Sequence, residues 1–506
     1  MASYSRPGVY VQETLNPIQP IVGPSSTSVG AFFGANDRGP VVPTLVTSWG
    51  KYTDIFGSWN TDQSNNLPLG VYMFFANGGS QCYVTRVAGA AAGTAIRTFS
   101  DRQVSPASTL SIAAKNPGKW GNNLNVSITD SLTAGYFNLV VYYNGTTAGN
   151  IVAQWPDLSM TATNARYAVN VINNDTANSW VVAADLASTA TGANRNPSVV
   201  ANQALSTGTE GSAVDGTAIA AQFTKLDTIR ESLILNIPGY TDANTINAAI
   251  SYATGNSRLN DVFVVVDGIN DTADNQLTTS LSYTSTSYAA VYYPQITISD
   301  PTVGVGSATG AVKTVGAGAA VVGIYCATDT SRGIFKAPAG LQTRIAGAVS
   351  VTPLSNSDLD NLNSSAAPVN AIRYIPGSGI VVFGSRTLKP GYVDRYVPVR
   401  RTLIYLEKSL RDLTNFALFE PNDPRLWNRI NASLSTFLTS FWSQGGLTGS
   451  TPSAAYFVKC DANNNPQSAI DNGYLNIQVG VALQRPTEFV VINIGQYSGG
   501  TTVTVA

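Results

Sequence analysis

The sequence predicts an α+β chain of several domains built around a parallel α/β sheet, and three patterns carry that expectation. In residues 216–294 short apolar runs alternate with helical segments: "TAIAAQFTKLD", "SLILNIPG", "DANTINAAISYATG", "DVFVVVDG" and "YAAVYYP". Strands apolar throughout and separated by helices belong to a sheet covered on both faces. From about 94 to 206 the alternation stops. Short runs such as "LNVSIT" and "YFNLVVYYNG" are broken by Asn, Gly, Asp and Thr, and Asn144-Gly145 is a hairpin signal. After Ala346 a hairpin-like stretch precedes two long amphipathic helices and further strand candidates. The expected division is an α/β domain (23–95 plus 206–345), a mostly β insertion (96–205), a C-terminal α+β domain (346–495) and terminal arms at 1–22 and 496–506.

Along the chain, "RPGVYVQE" reads as a short strand with Val9 and Val11 on one side and Tyr10 and Gln12 on the other. Pro17, Pro20 and Pro24 prevent a tight return hairpin, so this strand must find an edge elsewhere. "STSVGAFFGANDRGP" is a buried strand closed by a Gly-Pro turn. In "LPLGVYMFFANGGSQCYVTRV" Leu69, Tyr72, Met73 and Phe75 suit a helix stopped by Gly78-Gly79, and 82–87 suits the next strand. Asp242 is the expected N-cap of "DANTINAAISYATG".

In the last domain "NAIRYIPGSGIVVFGSRTL" reads as a hairpin. Over 398–419 Val399, Leu403, Leu406, Leu410, Leu413 and Ala417 recur at helical spacing, with Glu407–Arg411 and Lys408–Asp412 as i,i+4 pairs. The second helix should start with Asp423 as N-cap and Pro424 first, burying Trp427, Ile430, Leu434, Phe437 and Phe441. "AAYFVKCD", "YLNIQVGVAL" and "EFVVINIGQY" are strand candidates, and "TTVTVA" is a last lone strand behind Gly499-Gly500.

Composition narrows the function classes. Charged residues are 12%, about half the usual share, and 29 basic against 30 acidic residues leave a net charge of -1. Near-zero charge favours association, although a Ser/Thr/Asn-rich solvated surface fits the same numbers. No basic stripe points to nucleic acid, and no apolar run approaches the roughly 18 residues of a membrane span. No charged segment followed by an apolar core marks a signal peptide. Cys82, Cys326 and Cys460 are odd in number and far apart, which fits a reducing compartment.

The chain has no histidine, which excludes histidine-activated nucleophiles and histidine metal sites. Gly304, Gly306 and Gly310, then Gly316, Gly318 and Gly323, lack the G-x-G-x-x-G spacing between strand and helix, so loop and close packing are expected there. Asp461 and Asp471 flank a turn-rich loop without EF-hand spacing. Glu407, Glu420 and Glu488 form no acid/base pattern beyond being acids. No catalytic, cofactor-binding or metal residue is assigned, and no cofactor is expected. For the terminal strands two outcomes stand open: addition to the chain's own sheet, or exchange between subunits.

The sequence resembles the contractile tail sheath proteins of bacteriophages and related contractile injection systems. The resemblance runs through "RPGVYVQE", "TSVGAFFGANDRGP", "FFANGGSQCYVTRV", "NPGKWGNNL", "YYPQITISDP", "DTSRGIFKAPAG" and "AIRYIPGSGIVVFGSRTL". It is strongest in "VPVRRTLIYLEKSL", "FEPNDPRLWNRI", "GGLTGSTPSAAYFVKCD" and "GVALQRPTEFVVINI", and it covers most of 4–95 and 285–495. The 96–205 insertion matches weakly outside "NPGKWGNN".

The resemblance implies a structural subunit without enzymatic activity. Its copies stack as six-fold rings into a helical sheath around an inner tube protein, with baseplate and terminator proteins at the ends. The C-terminal domain faces the tube, and arms exchanged between subunits complete its sheet. Carried over residue by residue, Val9, Tyr10, Val11 and Gln12 form the N-terminal arm strand. Either Val503 and Val505 or the preceding strand, with Val490, Ile492 and Ile494, forms the C-terminal one. Arg400 and Arg401 are candidate contacts to the tube or a neighbour, with an ordinary exposed helix start as the alternative. Assembly is expected in the bacterial cytoplasm, into a virion tail or a contractile injection particle. A non-contractile strand-exchanging shell or surface-layer protein and an α/β enzyme with a β insertion are the competing readings.

Overall fold

The structure, a computed structural model, describes residues 27–60, 64–303, 311–391 and 394–489. The arm strands assigned to Val9, Tyr10, Val11 and Gln12, and to Val490, Ile492, Ile494, Val503 and Val505, lie outside these residues, as do Gly304, Gly306 and Gly310.

The apolar run after Ser28 forms β1 (Val29–Ala35), buried along its whole length. β2 (Thr44–Val46), α1 (Trp49–Phe56), α2 (Asn66–Ala76) and β3 (Gln81–Val87) follow. The chain then leaves for the insertion: β4 (Ile96–Ser100), β5 (Ser108–Ala114), β6 (Leu124–Asp130), β7 (Phe137–Tyr143), β8 (Ile151–Leu158), α3 (Ala168–Asn173), β9 (Val181–Asp185) and β10 (Val200–Ala204). Two antiparallel sheets, β4-β5-β9 and β10-β6-β7-β8, share one apolar cluster that includes Phe99, Ile112, Val126, Leu139 and Trp155. After β7, Asn144 and Gly145 take φ of 56° and 154°, the positive-φ turn that Asn-Gly signals.

The chain returns through α4 (Gly216–Ala220), β11 (Leu233–Asn236), α5 (Ala243–Thr254), β12 (Val262–Asp267), α6 (Ala273–Leu281) and β13 (Ala289–Tyr293). Asp242 caps α5 as expected, accepting from the Thr245 N–H. Next come β14 (Ile296–Ser299), β15 (Val312–Val315), α7 (Gly318–Arg332), β16 (Ala348–Val351), α8 (Asn356–Ser364), β17 (Val369–Ile375) and β18 (Gly379–Val382).

Eight strands make the main sheet, in the order β18-β17-β13-β12-β11-β1-β3-β2. From β17 to β3 all neighbours are parallel, and β18 and β2 are antiparallel edges. Its strands are buried on both sides. Phe32, Phe263 and Val265 pack with α2 and α7, while Phe33, Val264 and Val266 pack with α5, α6 and α8.

The boundary expected at 346 is corrected by these pairings. β16 pairs with β14, and the β17–β18 hairpin joins the main sheet through β13. A hairpin is legible locally, but the distant strand it lies against is not.

The C-terminal unit consists of α9 (Val397–Thr414), α10 (Pro424–Ser443), α11 (Pro452–Ala455), β19 (Tyr456–Lys459), α12 (Gln467–Asp471) and β20 (Gln478–Val481). Asp423 accepts from the Arg425 and Leu426 N–H groups and Pro424 is the first residue of α10, as the sequence predicts. α9 stops short of the expected 419: a 3-10 turn follows over Asn415–Ala417, and Phe419 sits at φ 65°. α10 buries Leu438 where Phe437 was expected, and Phe437 is half-buried. α9 packs on two sides at once. Val397 and Ile404 join the main-sheet core, and Leu406 joins a cluster with Leu438 and Phe441.

Candidate functional site

Parallel sheets bind ligands beyond the carboxyl ends of their strands, where the strand order reverses. Here the reversal falls between β1 and β11, and protein atoms fill the space beside it. Asp267, at the end of β12, sends its carboxylate to the start of α7. Oδ1 accepts from the Gly318 N–H at 2.6 Å and Oδ2 from the Gly239 N–H at 2.9 Å. Asn236 from β11 donates to the Val265 carbonyl at 2.9 Å and lies 3.5 Å from Asp267 Oδ1. A Cβ on Gly316 or Gly318 would come within 2.1 or 2.3 Å of the Asp267 carboxylate. Close packing thus explains these glycines. The helix start that would attract an external anion holds the chain's own. Burial raises the Asp267 pKa, against the pull of its two N–H donors.

The second cluster joins the C-terminal unit to the main sheet. Arg401 on α9 is 3% exposed. Its guanidinium grips Asp329 of α7 with two prongs, Nη1 to Oδ1 at 2.9 Å and Nη2 to Oδ2 at 2.6 Å. Nη2 also donates to the Thr27 carbonyl at 3.1 Å, and the group lies 4.7 Å from the Tyr325 ring centroid. Tyr325 and Tyr292 share a hydroxyl hydrogen bond of 2.5 Å in the core. Burial alone would lower the Arg401 pKa, but the Asp329 carboxylate carries it above its ordinary value. Burial raises the Asp329 carboxyl, and Arg401 opposes this.

The expectation that Arg401 contacts a tube or a neighbour is therefore corrected: its charge is consumed inside the chain, by a carboxylate far away in sequence. Arg400 is also turned inward. It donates to Ser287 Oγ at 2.8 Å, pairs with Asp394 at 3.0 Å and lies 4.6 Å from the Tyr288 ring centroid. Asp329, Asp267 and Tyr325 were not singled out from the sequence. Asp267 carried a readable signal, an acid ending an otherwise apolar strand in "DVFVVVDG".

The last described residues are clamped as well. Arg386 Nε and Nη2 bind Glu488 Oε1 and Oε2 at 2.7 and 2.6 Å, and Tyr396 adds its hydroxyl at 3.0 Å. Burial would raise the Glu488 pKa, but pairing with Arg386 more than reverses this and holds it below its ordinary value. Asp461 accepts from the Asn463 and Asn464 N–H groups at 2.8 and 3.2 Å, the work of a turn-capping carboxylate.

The sheet of this unit has two strands, paired Tyr456↔Val481 through Lys459↔Gln478. The Ala482 N–H donates to the Ala455 carbonyl at 2.8 Å. Hydrogen-bonded pairs alternate along an antiparallel ladder, so Gly480 and Gln478 also face β19, and the backbone groups of Val479 and Val481 point the other way. Among the described residues no strand pairs with that outer edge of β20.

Residues 395–496 match the family described as the phage tail sheath C-terminal domain. A stretch of 127 residues is 28% identical to the tail sheath protein of Vibrio phage KVP40, covering 25% of this chain and 18% of that protein. The chain thus spans under a fifth of the curated relative it matches. The sheath of PVC, an extracellular contractile injection system, in its contracted state aligns over 98% of this chain and 99% of its own, at 23% identity and a TM-score of 0.60. The contracted helical sheath of the anti-feeding prophage aligns over 98% and 100%, at 22% identity and 0.60. A sheath tail protein from Listeria innocua aligns over 87% and 90%, at 12% identity and 0.61.

The chain has the fold of contractile sheath proteins over nearly its whole length. Residues 395–496, most of its C-terminal unit, match the phage tail sheath C-terminal domain family, and the resemblance read from the sequence holds at that level.

Proposed function

We propose that this protein is the structural subunit of a contractile sheath, which polymerises helically around an inner tube and contracts to drive that tube through a target envelope. One observation carries the reading: the tail sheath family match at 395–496 falls on the unit whose two-stranded sheet has an open edge. In this reading the copies form six-fold rings, the C-terminal unit faces the tube, and the insertion lies outside. The N-terminal arm (Val9 to Gln12) of one copy and the C-terminal arm of another extend the β19–β20 sheet of a third. The outward backbone groups of Val479 and Val481 support this, because a strand ladder needs no particular side chain and survives rigid rotation of the domains it ties.

The protein acts without catalysis. The filled space at the strand-order reversal supports that, because Asp267 takes the place a phosphate would need. Assembly takes place in the bacterial cytoplasm with an inner tube protein, a baseplate and a terminator, and the product is a virion tail or an injection particle. Electron microscopy of the purified protein tests the reading. Long hollow helical tubes are expected, and monomers at high concentration in every salt tried would overturn it. Deleting residues 1–14 should abolish tubes and leave a folded, soluble subunit; normal polymerisation of the truncation would remove the N-terminal arm from the account.

A further inference from the structure

We propose that the groove between the α/β unit and the C-terminal unit is the seat for the acidic α6–α8 face of a second copy of this chain. The proposal rests on the assembly reading above and adds the contact that sets copies head to tail. The groove, about 610 Å³, is lined by Arg332, Lys336, Phe383, Tyr396, Arg485 and Glu488. It continues through Arg332, Lys336 and Gly340 into a neighbouring hollow that adds Arg344. Among the described residues no carboxylate forms an ion pair with Arg332, Lys336 or Arg344. The one acid in the lining, Glu488, is committed to Arg386. Burial lowers the Lys336 pKa and the Arg332 charge lowers it further, so like charges share this groove.

The opposite imbalance lies across the main sheet. α7, which ends at Arg332, covers one face, and α6 and α8 pack together on the other. Asp271, Asp274 and Asp360 are exposed there, and half-buried Asp358 caps α8. Asp271 and Asp358 both raise the Tyr293 hydroxyl, after burial, so the two helix starts share one field. No lysine or arginine occurs in 259–312 or in 345–372. The α7 end of the basic groove and the acidic α6–α8 face thus lie on different faces of one sheet, as separate surfaces of the chain. Between copies they fit head to tail, a heterologous contact that leaves one partner surface free at each end and propagates into a ring or helix.

The terminal segments do not supply the missing charge. Residues 1–26 carry one arginine and one glutamate, and 490–506 carry no charged side chain. Charge complementarity therefore assigns the groove to the acidic face of another copy, a surface whose own segments hold no lysine or arginine.

Charge reversal with rescue tests the contact. Arg332→Glu, Lys336→Glu and Arg344→Glu together make the groove variant. Asp271→Lys, Asp274→Lys and Asp360→Lys make the face variant, with Asp358 kept to cap its helix. Circular dichroism should show both folded. Each alone should need a roughly tenfold or higher concentration to form pelletable polymer, and an equimolar mixture should restore the wild-type threshold. Polymerisation of both variants like wild type would overturn the proposal. So would an unrescued mixture of folded variants, which would hand the groove to an inner tube or another occupant. Wild type that forms no tubes defeats the assembly reading instead. In that case sedimentation of the mixed variants at low salt still reads the contact: a heterodimer absent from either variant alone supports it, and monomers overturn it.

Discussion

The inserted unit of residues 96–204 builds a core of its own. Its seven strands form two antiparallel sheets around one cluster, in which Leu124, Val126, Ile128 and Leu139 are fully buried. The C-terminal unit has two strands of four residues, two smaller apolar clusters, and Phe457 half in solvent. A two-stranded sheet is marginal alone in water. Both units are fixed to the main sheet by buried or half-buried arginines. Arg86 donates to the Asn36 and Pro117 carbonyls at 2.6 Å each and pairs with Glu210 at 3.5 Å, while Arg38 lies 4.0 Å from the Trp180 ring centroid. Arg401 and Arg386 do the same for the C-terminal unit. The difference therefore lies in sheet and core size rather than attachment. The insertion stacks sheets of three and four strands on one shared core, whereas the C-terminal unit rests on a single two-stranded ladder.

The largest expected effect comes from the C-terminal attachment. Arg401→Ala leaves Asp329 buried without its counter-charge and should cost about 3–5 kcal/mol in denaturant unfolding, whereas Arg401→Met with Asp329→Leu should cost less than either single change. Equal loss in the double and single variants would mean that packing, not charge, holds the junction. Next, one substitution can be set in both regions. Val140 in β7 is paired on both sides, with Ser127 and Gln154, so Val140→Pro should cost about 3 kcal/mol or more and open the insertion to hydrogen exchange.

Val479→Pro breaks no ladder bond within the subunit, because its N–H faces the open edge, and loses only part of the Val479 packing on the two apolar clusters, so it should cost clearly less than Val140→Pro yet stop tube formation seen by electron microscopy. If Val479→Pro unfolds the C-terminal unit, that edge is not free in the subunit.

The smallest effect is a pH dependence at Glu488. A carboxyl held below its ordinary value stabilises above the unfolded pKa, near 4.3, and the contribution fades as pH falls through the lowered folded value. Hydrogen exchange of residues 484–489 should therefore speed up below about pH 4 beyond its intrinsic trend, and Glu488→Gln should flatten that excess.

Local signals were legible because their physics is local. Asp242 and Asp423 satisfy helix N–H groups within three residues, and the Asn144-Gly145 turn needs only its own φ angles. The apolar runs of β1, β11, β12 and β13 announced a sheet covered on both faces. What failed was non-local. The 369–382 hairpin was assigned to the last domain although it completes the main sheet, and Arg401 read as an outward charge. The end of α9 was misplaced because helical spacing continues into Ala417 while the backbone does not.

The sequence by itself determined the element types, the α/β core with a β insertion, the absence of histidine chemistry and the likeness to sheath proteins, since these reside in periodicity, composition and motif order. Only the tertiary structure decided which charges are spent inside. Asp329 and Arg401 are 72 positions apart, and Asp267 and Gly318 are 51 apart. Such pairings follow from strand order and helix packing, which no local pattern encodes.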